Sequence, residues 1–369
     1  DGIAESIAKT LVWGVPWVVG RACFTSLADL RVLAIGIVLG GLAYLPLCLY
    51  EIRMSPQLHT LLYGYFPHAE FAQTRRFGGF RPNVFMQHGL MVGLWMCLSA
   101  LAGAWLWRAG RLRTVLGVPM WLVVPAQAVV AVLCKSAGAV LVAAGGWGVL
   151  LASGWMRTRL LLLALAIVPT LYVGYRVAGG PVGPLVSAVA QTPLVGQRSD
   201  SLEYRIEAEQ VLLGHAMERP LFGWGGYGRH RPRNDAGEEL ARTDSLWIIT
   251  LGQNGVLGLI SLYTALALPL WTVARRLSPA AFLAPRAAPL LILALLTTLF
   301  ACDSLFNAMI GPIYILAAGA VLGTVQALGS RQPLRRSSAQ RPRRHRPATA
   351  TSTPSEPGTP PSRASVPAV

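Results

Sequence analysis

Charge is scarce in this chain, and acid is scarcer than base: 13% of the 369 residues are charged, with 16 acidic residues against 32 basic ones. A soluble domain carries about 25% charged residues. With 53% hydrophobic residues and a mean hydropathy of +0.49, a water-soluble body is excluded. Lysine is nearly missing, since only Lys9 and Lys135 occur and every other fixed cation is Arg. The five cysteines (Cys23, Cys48, Cys97, Cys134, Cys302) form no CxxC pair and no zinc spacing. They lie in or beside apolar runs and read as small buried hydrophobes. No D-x-D pair is present to hold a metal and a diphosphate, no P-loop occurs, and no glycine fingerprint follows a strand. Neither a metal nor a cofactor is therefore expected, and nucleotide-driven pumping is disfavoured.

What the chain has instead is long apolar stretches flanked by Arg, Trp or Tyr. Runs near 31–50, 83–107, 114–133, 137–153, 158–177, 247–272, 287–304 and 308–328 approach or reach the roughly 20 residues that cross a bilayer. The expected fold is an all-α polytopic transmembrane bundle of about eight complete spans (residues 1–329) with a partly helical large loop at 178–246. The stretch 114–153 breaks at Cys134-Lys135-Ser136, read as a hairpin tip because a lysine at mid-membrane costs several kcal/mol; one long tilted helix is the alternative. A first run around Leu11 to Val19 is interrupted by Pro16 and reads as an incomplete, truncated segment.

The formal charge of +16 suggests nucleic acid only until its distribution is considered. The segment after Ser330 holds eight Arg and one Glu, and its Arg, Pro, Ser and Thr content predicts a disordered basic tail at 330–369 that touches anionic lipid. The remaining positive residues cluster in short loops, as the positive-inside rule requires. With the tail in the cytoplasm, Arg108, Arg111, Arg113, Arg157, Arg159, Arg275, Arg276 and Arg286 all fall inside. The long loops 51–82 and 178–246 then share the opposite face with Lys135.

Three segments of those loops carry chemistry-bearing residues in a fixed order. Gly79-Phe80-Arg81-Pro82-Asn83 opens an early span. Arg205 precedes Pro220-Leu221-Phe222-Gly223-Trp224-Gly225 by fifteen residues. Asp244 and Ser245 precede Gly255 and Gly258 as the chain enters another span. In this order and spacing the chain resembles the O-antigen ligase and O-antigen polymerase superfamily of membrane glycosyltransferases. Arg198 to Leu202 also fits that family's R-x-x-x-L element. The departure is Asp244, which stands where the ligase pattern has His.

The resemblance implies a multi-pass protein of a bacterial inner membrane with its active site on the periplasmic face. Its partners would be an undecaprenyl-diphosphate-linked glycan, a glycan or lipid acceptor and membrane lipids, with no nucleic acid. Cleaving the anomeric carbon–phosphate bond leaves charge on the diphosphate, which planar guanidinium groups stabilise. Arg205, Arg198 and Arg81 are the expected clamp, with Arg75, Arg76, Arg229 and Arg231 as weaker options. Asp244 is the expected catalytic position, either accepting the acceptor hydroxyl's proton or pairing with an Arg of the clamp. Asn83, Gly223, Gly225, Ser245, Gly255 and Gly258 are expected to shape the motifs. His215 and His230 are possible substitutes for the missing His, and His88 is expected to pack at a helix start. Ala208 to Met217 reads as an amphipathic helix ended by Pro220, and Glu203, Glu207 and Glu209 read as a solvated helix face. Asp303 and Asn307 are open to two readings, a functional pair or a helix junction. Ligase, repeat-unit polymerase and lipid-linked oligosaccharide transporter remain the competing assignments.

Overall fold

The computed structural model describes residues 2–67, 71–181, 199–241 and 245–330, with only the backbone given for 199–205 and 330. Residues 1–330 form one compact unit, and the expected basic tail lies outside the described residues. Apolar runs in lipid have no water to satisfy their backbone, so they must bond within one segment, and the chain is accordingly mostly helical. In order come α1 (Gly2–Lys9), a π-turn (Thr10–Gly14), α2 (Val15–Cys23), α3 (Leu27–Met54), α4 (Leu58–Tyr63), α5 (Gly89–Arg108) and α6 (Met120–Leu133). There follow α7 (Ala137–Trp155), α8 (Leu160–Val177), α9 (Ser199–Met217), α10 (Leu246–Arg276), α11 (Ala288–Asp303) and α12 (Pro312–Ser330). Two short antiparallel pairs join β1 (Arg75–Arg76) to β2 (Gly79–Phe80) and β3 (Thr114–Val115) to β4 (Val118–Pro119).

Among the described residues seven helices are long and apolar enough to span a membrane: α3, α5, α7, α8, α10, α11 with its lead-in from Pro285, and α12. A multi-pass helical bundle is thereby borne out, while the boundaries differ from expectation in instructive places. The predicted 114–133 span begins with the β3–β4 turn and leaves α6 only 14 residues, about 21 Å of helix. The 83–107 span starts at Gly89, after an irregular entry around Pro82 and Asn83. Pro16 does not interrupt the first run. It follows a π-turn, where Val15 N bonds Thr10 O, and residues 2–23 continue as helix through it.

The apolar windows of α5 and α11 are 78% and 83% buried, against 28% for α7 and α8, so α5 and α11 form the centre and the others wrap them. A polar knot ties three helices there: Gln127 Nε2 donates to Val38 O at 2.9 Å, and Ser99 Oγ donates to Ile37 O at 3.1 Å. The helix at 2–23 lies directly against α12. A methyl at Gly319 would meet Trp17 O at 2.1 Å and one at Gly20 would meet Leu316 O at 2.1 Å, a backbone approach that small residues alone permit.

Polar cross-links sort to two ends. At the tail end Arg31 Nη2 donates to Arg111 O at 3.0 Å, Arg159 Nη1 to Arg275 O at 3.3 Å and Arg276 Nη1 to Val325 O at 2.9 Å. Arg21 and Arg275 also lie over the rings of Trp17 and Trp271, an arrangement suited to a membrane interface. Lys135 meets the 71–84 loop at the opposite end, so the hairpin tip and the long loops share one face, called here the loop face.

Candidate functional site

On the loop face, the first motif is built around a buried carboxylate. Glu51 is fully buried near the end of α3. Its Oε2 accepts from Asn83 N and Val84 N, both at 2.7 Å, and its Oε1 accepts from Leu58 N at 2.8 Å. Three backbone donors on one carboxylate are charge-assisted bonds, and they fix the Pro82-Asn83 entry against α3. Arg81 is buried and donates through Nη2 to Lys135 O at 2.9 Å, while Lys135 Nζ donates to Arg76 O at 2.7 Å. Burial, and secondarily the Arg81 charge, hold the Lys135 ammonium below its ordinary pKa. The fold thus employs Arg81 to latch the hairpin tip. Asn83 is buried beside Gly89, and His88 caps α5 by accepting from Leu90 N at 2.9 Å, as expected of it. Arg75 and Arg76 are exposed, with Arg75 over the Phe80 ring.

The second element is α9, which runs longer than the expected 208–217 helix. Ala208, Leu212 and Ala216 recur at helical spacing and bury one face, packing with Trp247, Ile248 and Leu251 of α10. Glu207 is exposed as expected, but Glu209 is not on a solvated face. It is 2% exposed, its Oε2 lies 3.3 Å from Arg176 Nη2, and its Oε1 accepts from Ser245 Oγ at 2.6 Å. Burial pushes the Glu209 carboxyl above its usual range, outweighing the Ser245 and Arg176 contacts that pull it down. Helical periodicity could not separate this glutamate from its exposed neighbours, because Arg176 comes from another helix.

Arg198 and Asp244 lie outside the described residues, and Arg205 is placed only as backbone in α9. Positions 205 and 209 are one helical turn apart, and Ser245 follows position 244. The Glu209–Ser245 bond therefore ties the start of α10 to α9 one helical turn beyond position 205.

The third element is a break in α10. Gly255 has φ 64° and ψ −167°, a conformation open essentially to glycine. Leu246 N donates to Ser304 O at 3.0 Å, and the Tyr263 hydroxyl lies 3.3 Å from Ser304 Oγ. Residues 17 apart on a straight helix are separated by about 25 Å, so the two arms converge and the chain turns sharply at Gly255. Such a break exposes backbone groups that lipid cannot satisfy. The Pro220–Gly225 turn supplies the partners. Trp224 N and Gly225 N donate to Gly252 O and Gln253 O at 2.7 and 2.9 Å, and Val256 N and Leu257 N donate to Pro220 O and Leu221 O at 2.7 and 3.5 Å. A Cβ on Gly255 would lie 2.2 Å from Leu221 O, and one on Gly223 2.6 Å from Gly252 O. Two motifs separated by about thirty residues are thus joined backbone to backbone. Gly258 leaves room for the Asn254 side chain, and Gly225 has φ 79° beside the Arg229 guanidinium.

Around this junction the histidines are structurally engaged. His215 stacks on Trp224, ring centres 4.3 Å apart, and Trp224 Nε1 donates to His215 O at 2.8 Å. Arg219 lies 4.2 Å from the same indole. His230 is buried beneath Gly252, and burial, followed by the Arg231 charge, lowers its pKa to about 4. Arg231 pairs with Glu239 at 3.1 Å, and Arg229 is exposed. Asp303 accepts from Asn307 Nδ2 at 3.0 Å and its carbonyl accepts from Asn307 N at 3.0 Å, so the pair closes the turn that leaves α11.

Below the junction, a groove of about 670 Å³ is lined by α1, α2, both arms of α10 and α12. Trp13, Leu262, Leu266 and Ile315 give it an apolar body; Glu5, Lys9, Thr250, Gln253 and Asn254 supply its polar lining. Lys9 Nζ donates to Asn254 Oδ1 at 2.8 Å and lies 3.2 Å from Glu5 Oε1. Sequence reasoning passed over Lys9 because its helix read as incomplete. Glu51 and Arg176 did carry a signal, as ionisable residues at the ends of apolar runs. The chain matches no family model, no curated protein and no solved structure.

Proposed function

We propose that this chain is a membrane glycosyltransferase of the O-antigen ligase-like type. It moves a glycan from undecaprenyl diphosphate to an acceptor hydroxyl during assembly of cell-surface polysaccharide or lipopolysaccharide in a bacterial inner membrane. The observation that supports this reading is the Ser245–Glu209 hydrogen bond, because it joins α9, the helix that carries Arg205, to the residue that follows Asp244 in the sequence. Arg205, assisted by Arg198, binds the diphosphate, where fixed cations stabilise the departing charge. Arg81 holds the hairpin tip of the loop face. Asp244 orients the acceptor hydroxyl or accepts its proton on the periplasmic side. The apolar body of the groove suits an isoprenoid chain, and its polar lining suits the headgroup end.

One observation favours a second reading. Broken helices such as α10 at Gly255 are frequent at transporter binding sites, which supports transport of the same lipid-linked oligosaccharide. A single experiment separates the two. Purified protein, Arg205→Ala and Asp244→Ala are given polyprenyl-diphosphate oligosaccharide and acceptor in matched detergent preparations. Loss of glycan transfer in both folded variants supports the transferase, with a single added glycan indicating a ligase and a ladder a polymerase. Unchanged turnover in both sinks the assignment of these residues, and absence of turnover in the parent as well moves the transporter forward.

A further inference from the structure

The Pro220–Gly225 turn leaves two large apolar side chains uncovered: Leu221 is 60% exposed and Phe222 74%. Their depth follows from α10. From Val256 to Arg276 the second arm has 21 residues, about 32 Å of helix, which matches the roughly 30 Å of a hydrocarbon core. Arg275 and Arg276 mark its tail-face end, so Gly255 lies at the other boundary. Val256 N and Leu257 N hold Pro220 O and Leu221 O there by backbone bonds. Between Val256 and Pro269 the exposed residues of this arm are Leu257, Ile260, Ser261, Thr264 and Leu268; Ser261 borders the groove, and the other four recur at helical spacing and form its lipid-facing stripe. Leu221 and Phe222 extend that stripe at its loop-face end. Arg219, exposed and seated on Trp224, places a cation and an indole beside them, a combination suited to the headgroup layer.

We infer that Leu221 and Phe222 are a membrane anchor. They insert into the acyl-chain boundary of the loop-face leaflet, while Arg219 meets lipid phosphate and Trp224 sits among the headgroups. The occupant of this surface is bilayer lipid, since the patch continues a lipid-facing stripe. The anchor holds the α9–α10 loop at headgroup depth whatever reaction the chain performs, so it stands or falls separately from the transferase reading.

Nitroxide depth measurement tests it. Single cysteines replace Phe222, Leu257 or Asp235 in a Cys23→Ser parent reconstituted into phospholipid nanodiscs; the parent's own signal is subtracted, and all three positions are exposed, so labelling leaves the fold intact. Labels at 222 and 257 are expected to collide several-fold more with oxygen than with a water-soluble nickel chelate, and the label at 235 to show the reverse. A label at 222 that behaves like the one at 235 overturns the anchor. So does a label at 257 that reads aqueous, because the boundary then lies nearer the tail face than Gly255.

Discussion

Gly255→Ala strikes the point where two distant motifs meet. The residue occupies φ 64°, ψ −167°, which an alanine adopts at a cost of about 1–3 kcal/mol. Its methyl group would also lie 2.2 Å from Leu221 O, a backbone atom that yields only if the 220–225 turn withdraws. Withdrawal lengthens the bonds at 2.7, 2.9, 2.7 and 3.5 Å, each contributing about 0.5–1.5 kcal/mol net. Counting strain and two to three lost bonds, the substitution costs on the order of 3–6 kcal/mol. At roughly 2 °C per kcal/mol for a chain of this size, Tm falls by on the order of 6–12 °C. The control is Gly148→Ala in α7, where a methyl meets nothing within 4 Å and the helix gains propensity. A thiol-reactive dye in detergent reads both, since Cys48, Cys97 and Cys134 are buried and react only on unfolding. Trypsin reads local detachment through cleavage after Arg229 and Arg233, neither of which precedes a proline. A Gly255→Ala protein that melts within 2 °C of the Gly148→Ala control and resists trypsin equally would refute the backbone junction.

Other parts of the loop face give their own tests. Glu51→Gln leaves one carbonyl oxygen and turns an NH2 group toward backbone N–H donors that now share a carboxylate. A loss of about 2–3 kcal/mol is expected, measured as the same dye-reported melting shift, and an unchanged Tm would show that the carboxylate does not hold the Pro82 entry. His230 provides a pH test. Its folded pKa is lowered from 6.5 to about 4, so below 6.5 the unfolded chain binds the proton first and stability falls as pH drops from about 6.5 to 4. The full shift is equivalent to about 3 kcal/mol. Tm of the parent should decline across that window more steeply than that of His230→Asn, and parallel curves would remove His230 as the source.

The membrane class was legible from composition alone, because no soluble fold hides this much apolar surface, and the hairpin tip at Lys135 followed from the cost of burying an ammonium. The glycines at 223 and 255 were legible as a pattern, but not as partners. Their pairing depends on a sharp break in α10 whose freed backbone groups need donors and acceptors from elsewhere in the chain. Glu209 shows the limit most plainly: helical register placed it with Glu207 among solvated residues, whereas Arg176 and Ser245 draw it inside. Local sequence determines which segments become helices, since each satisfies its own backbone in lipid. Which polar residues meet at the loop face is decided by packing between helices far apart in the chain, and only the tertiary structure contains that information.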